Sequence, residues 1–96
     1  MGGPLHDAEV TARLAELPGW RRAGSAIVKE FTFAGFPEAV AFVTRLVAPS
    51  EAADHHPDLE IHYRRVLVIF TTHSAGGITA KDLAGAQAAD AVAGVE

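Results

Sequence analysis

The chain has 96 residues, is 49% hydrophobic and carries a formal charge of −4, from 8 basic and 12 acidic residues. That length holds one hydrophobic core, read as a single domain over residues 1–96, with no room for a separate cofactor domain. The acidic balance, with Arg21-Arg22 and Arg64-Arg65 as the only basic doublets, disfavours direct binding to nucleic acid.

Cysteine is absent, which removes disulfides, thiolate ligands and cysteine nucleophiles. No apolar run approaches the roughly 20 residues of a membrane span, and MGGPLHDAEV has neither a basic region nor an apolar core. The expected setting is the cytosol.

From Asp7, a plausible N-cap, apolar residues at Val10, Leu14 and Leu17 recur at helical spacing up to the stop at Pro18-Gly19. Trp20 to Arg22 is an extended segment, and the Gly24-Ser25 turn leads into AIVKEFTF, where Ile27, Lys29, Phe31 and Phe33 share one face. Pro37 fits the first turn of a second helix, whose apolar stripe is Val40, Val43 and Val47 flanked by Ala39, Phe42 and Leu46. Pro49 is expected to kink or end it, since proline has no amide to donate and its ring crowds the preceding turn.

LEIHY and VLVIFTTH follow as a second strand pair, separated by Arg64-Arg65. Gly76-Gly77 breaks the last strand, and TAKD opens a final helix as a capping box, with Thr79 capping and Asp82 reaching back. The order α-β-β-α-β-β-α implies an α+β fold: a four-stranded antiparallel sheet with helices packed on one face. The other face, carrying Val28, Glu30 and Thr32, is then free for solvent or a subunit contact, and a homo-oligomer is expected.

Chemistry concentrates in Asp54-His55-His56-Pro57. A hairpin running from Leu59 to Thr71 brings His73 back toward these residues. Imidazoles titrate near pH ~6.5, so two of them across a cleft can supply an acid and a base to one substrate. A zinc site built from His55, His56, His62 and His73 with Asp54 or Asp58 is the competing reading. Adjacent histidines rarely converge on one ion, and no His-Glu-x-x-His helix motif is present, so no metal is expected.

The series Glu51, His55-His56-Pro57, Tyr63, His73 and Asp82, with its intervals of three, five, nine and eight residues, resembles the signature of the pterin-4a-carbinolamine dehydratases. LPGW, FTFAGFPEAVAFV and TTHSAGGITAKD extend the resemblance over most of the chain. It implies dehydration of a 4a-hydroxytetrahydropterin to quinonoid dihydropterin, in recycling the pterin oxidised by an aromatic amino-acid hydroxylase. The pterin is the substrate and no cofactor is implied. His55 and His73 match the acid/base pair and His56 a third active-site histidine that contacts or orients substrate. Asp54, Thr71, Thr72 and Ser74 match segments lining the pterin site, and Asp82 matches the carboxylate associated with the His73 side of it; Glu51, part of the signature, is read as a polar helix-end residue supporting the loop. A homodimer or homotetramer is expected.

The resembled family also includes members that double as dimerisation cofactors of homeodomain transcription factors and divergent relatives that assist assembly of other proteins; a non-enzymatic protein-binding, assembly or transcription-cofactor role is therefore the alternative reading. This chain departs from the family pattern at Asp58-Leu59, where an aromatic is usual, at the additional His62, at Gly85-Ala86 in place of Leu-Ala, and at Pro49.

Overall fold

A computed structural model describes residues 3–94. Its elements are α1 (Asp7–Leu14), β1 (Arg21–Ala23), β2 (Ala26–Thr32), α2 (Phe36–Arg45), α3 (Val47–Ala53), β3 (Asp58–His62), β4 (Arg65–Phe70) and α4 (Ala80–Ala93), with a single 3-10 turn at His73–Ala75. The sheet is antiparallel throughout in the order β1-β2-β4-β3, so each sequential pair is a hairpin and β2 against β4 joins them. The α+β architecture with helices on one sheet face is as expected from the sequence.

Ile27 and Phe31 of β2 and Val66, Val68 and Phe70 of β4 alternate onto the helix-covered face, where they meet Val10, Trp20, Phe42, Leu46, Ile78 and Leu83. This is the core. Lys29 shares that face without breaking it. Its ammonium reaches Asp90 of α4 at 2.9 Å and the Pro18 carbonyl at 3.1 Å, and it stands over the Phe31 ring. Trp20 Nε1 donates to the same Asp90 carboxylate at 3.2 Å, so α4 is anchored to the sheet by a largely buried polar cluster as well as by apolar contacts.

Several boundaries differ from the sequence reading. Asp7 is the first helical residue, with His6 as N-cap, and its carboxylate pairs with Arg22 at 2.8 Å instead of capping the helix. Along α2 and its junction with α3 the buried positions are Ala39, Phe42 and Leu46, whereas Val40 and Val47 are exposed and Val43 is half-buried. The helix is rotated so that the flank of the expected stripe faces the sheet. The break falls at Leu46, ahead of Pro49, which sits in the first turn of α3 where its missing amide costs little.

The β3–β4 turn is Tyr63-Arg64, and Arg65 pairs with His62 inside the ladder. Tyr63 adopts φ 56°, a left-handed conformation that strains an L side chain, and its own side chain is exposed. Tyr63→Gly is therefore expected to stabilise the fold by about 0.5–1 kcal/mol, the relieved strain less the added freedom of the unfolded chain. A melting curve checks this, and a fall in melting temperature would show that the tyrosine ring contributes more than its backbone costs.

Candidate active site

The histidine stretch begins where α3 ends. Asp54 caps that helix at φ 50° and ψ 43°, and the His55 amide donates back to the Ser50 carbonyl at 3.1 Å. This left-handed step reverses the chain, and the extended conformation required before Pro57 then sends consecutive side chains to opposite sides. His55 turns toward α4. His56 turns back along α3 to Glu51, with Nε2 2.6 Å from Oε2.

His55 Nε2 lies 2.7 Å from Oδ1 of Asp82, a carboxylate with 0% exposure. The other oxygen, Oδ2, accepts from Thr72 Oγ1 at 2.8 Å and from the Thr79 backbone N–H at 2.8 Å, which completes the capping box of α4. Thr72 and Thr79 hydroxyls are themselves 2.8 Å apart. Asp82 thus caps a helix and binds a histidine at once, and its surroundings are donors, as an ionised carboxylate requires. With Asp82 as acceptor, His55 carries its proton on Nε2. Nδ1 has no protein partner among the described residues, and since no buried side-chain nitrogen or oxygen is left unpaired, it is open to solvent.

The same carboxylate ties down the second histidine segment. β4 stops at Phe70, three residues before the expected end, because its pairing with β2 and β3 runs out there and the Thr72 backbone pairs with Gly77 instead; the Thr71 hydroxyl bonds the Ser25 carbonyl at 2.6 Å and the Thr72 hydroxyl bonds Asp82. Thr72 then bridges Gly77 and closes a loop with His73 and Ser74 exposed at its tip. His73 is therefore one residue beyond Thr72, and Asp82 bonds directly to His55, not to His73, with which the sequence associated it. No direct bond joins the two imidazoles among the described residues.

Of the other predicted residues, Asp54 is exposed beside His55, and the hydroxyl protons of Thr71 and Thr72 are engaged within the protein. His62 pairs with Glu60 at 3.1 Å on the uncovered sheet face and lies outside the site.

Two cavities flank α3. One, of about 160 Å³, is walled by His55, Phe70, Pro49, Ala53, Gly85 and Lys81. The other, of about 200 Å³, is walled by His56, Glu51, Val47, Pro57 and Leu59. His73 lines neither. Sequence reasoning missed Phe70, whose ring lies nearly parallel to the His55 imidazole at 6.0 Å, because alternation in β4 marks it only as core. It also missed Thr79 as a bonding partner of Thr72; the TAKD motif shows the cap and nothing more. Among the described residues no group of three or more His, Asp or Glu is arranged to hold a metal ion.

The model of the family described as pterin 4 alpha carbinolamine dehydratase matches residues 3–92. The chain belongs to this family.

Relatives provisionally named pterin-4-alpha-carbinolamine dehydratases include one from Picosynechococcus sp., 51% identical over 85% of this chain and 89% of its own. Another, from Chloroflexus aurantiacus, is 48% identical over 94% and 97% respectively. Among solved structures, a transcriptional coactivator/pterin dehydratase from Brucella melitensis superposes with a TM-score of 0.90 at 33% identity, covering 95% of this chain and 99% of that one. A pterin dehydratase-like protein identified as a RuBisCO assembly factor in the alpha-carboxysome gives 0.69 at 27% identity, covering 81% and 93%. The dehydratase family accounts for nearly the whole described chain. No helix among the described residues is long and apolar enough to cross a membrane.

Proposed function

We propose that this protein, as one domain, dehydrates a 4a-hydroxytetrahydropterin to quinonoid dihydropterin by histidine acid/base catalysis. The observation that carries the proposal is the buried Asp82 carboxylate, which binds His55 directly and holds Thr72 beside His73. A carboxylate on Nε2 leaves Nδ1 as the free lone pair and stabilises the imidazolium that forms when Nδ1 takes a proton. His55 is accordingly the base that removes the proton from the pterin ring nitrogen. His73, exposed and without a carboxylate partner among the described residues, is the acid that protonates the 4a-hydroxyl as it leaves. One proton is taken, one is given, and water departs, so the reaction needs neither a metal nor a cofactor.

Asp54, His56 and Ser74 are the remaining contacts for the pterin, with Glu51 orienting His56. Thr71 and Thr72 hold the His73 loop in place. We place the protein in the cytosol, in pterin recycling beside an aromatic amino-acid hydroxylase.

The test is a stopped-flow measurement of 4a-hydroxytetrahydropterin breakdown. A rate well above the spontaneous one is expected, and a rate no faster than spontaneous would sink the enzymatic reading.

A second reading, a protein-binding or assembly role, is favoured by one observation. Phe36, Val40 and Val47 are exposed at helical spacing along α2 and α3, an arrangement that fits a homodimer, a homotetramer or another partner. Light scattering separates these: a dimer or tetramer mass is expected, and a monomer at micromolar concentration would leave the stripe to a different protein.

A further inference from the structure

We propose that Gly85 and Phe70 together are a positioning device for His55: the missing side chain on α4 admits the Phe70 ring, and the ring fixes the plane of the imidazole. Gly85 lies inside α4, where its backbone does not require glycine and helix propensity disfavours it. The reason for glycine is spatial. A Cβ built there would stand 2.5 Å from Cε1 and 2.6 Å from Cζ of Phe70.

That ring has little freedom to move away. It is 3% exposed and packs against the Trp20 ring at 6.1 Å and the His55 imidazole at 6.0 Å, the latter with planes 19° apart. His55 is thereby held at two points. Its Nε2 is pinned to Asp82 at 2.7 Å, but a single hydrogen bond leaves the imidazole free to rock about the Nε2···Oδ1 axis. The stacked ring removes that freedom, and so sets where Nδ1 points.

The kinetic part of this inference rests on the reading of His55 as the base; the structural part does not. The experiment compares wild type with Phe70→Leu, Gly85→Ala and the double variant. Each is followed by melting, by ¹⁵N NMR of the His55 ring and by kcat and KM for dehydration. In wild type a single Nε2–H form of His55 is expected. Phe70→Leu removes the ring, and its His55 signals are expected to broaden or shift while kcat falls by about 10-fold or more at nearly constant KM. Gly85→Ala pushes the ring and is expected to do the same with a lower melting temperature.

The double variant relieves the clash but has no ring to stack. Its melting temperature is expected to recover relative to Gly85→Ala while its His55 signals do not. A purely packing role predicts that both recover together. If folded Phe70→Leu and the double variant keep the wild-type His55 signals, the inference is overturned. Should Gly85→Ala fail to fold, Phe70→Leu decides by itself. A wild type without dehydratase activity would remove the proposed function, and the NMR comparison would still decide the positioning.

Discussion

Replacing Asp82 with alanine is expected to lower the melting temperature by about 10–20 °C. The carboxylate is completely buried and accepts from His55 Nε2, Thr72 Oγ1 and the Thr79 amide. Alanine strands those donors in a site with 0% exposure, at about 1–3 kcal/mol for each one left unsatisfied, and removes half of the capping box of α4. Because the Thr72 hydroxyl can turn to Thr79 Oγ1, 2.8 Å away, the sum stays near the low end for three donors, about 3 kcal/mol, which a domain of this size registers as about 10–20 °C. Asparagine separates stability from chemistry. Its amide oxygen keeps the Thr72 and Thr79 donors, but its NH₂ faces His55 Nε2, which must then accept and carry the proton on Nδ1 instead. Asp82→Asn is expected to stay within a few degrees of wild type and to lose about 10²–10⁴-fold in dehydration rate, because the lone pair that should take the pterin proton is gone. Melting and turnover measured on one preparation check this. A folded Asp82→Asn protein with the wild-type rate would refute the assignment of Nδ1 as the base.

The local features of the sequence carried most of the architecture. Alternation in AIVKEFTF and VLVIFTTH placed two central strands, Gly24-Ser25 placed the first hairpin turn, and TAKD placed a capping box that forms in full. What the sequence did not show depends on partners far along the chain. Lys29 reads as an intruder on a core face until Asp90, 61 residues away, is seen to neutralise it. The end of β4 depends on where its partner strands run out and on the Thr72 backbone pairing with Gly77 instead, and neither is visible in a run of β-formers. The rotation of α2 has the same origin. Two adjacent apolar rows are equally good helical stripes, and the packing against Phe31 selects Phe42 and leaves Val40 outside. For the site, spacing named the two histidine segments, but the carboxylate that links them is a tertiary contact in which a capping motif does a second task.

His55→Ala and His73→Ala are expected to fail in different ways, and the difference tests the division of labour between them. Both should slow dehydration by about 10²–10⁴-fold, the usual worth of a positioned acid or base. His73 is exposed and makes no side-chain bond among the described residues, so its removal should leave stability within about 0.5 kcal/mol of wild type. His55→Ala takes a donor from Asp82 and the face that covers Phe70. It should therefore melt measurably lower, although less so than Asp82→Ala, since water entering from the adjoining cavity can replace one donor. The double variant carries the mechanism further. If the two imidazoles move protons in one step, removing either already forfeits that step, and the double variant should sit at the spontaneous rate without the full product of the two losses. Losses that multiply would mean that His55 and His73 serve separate steps. A His73→Ala protein with full activity would take His73 out of the chemistry and leave the proton for the departing hydroxyl to come from water or from His56, the neighbour of His55.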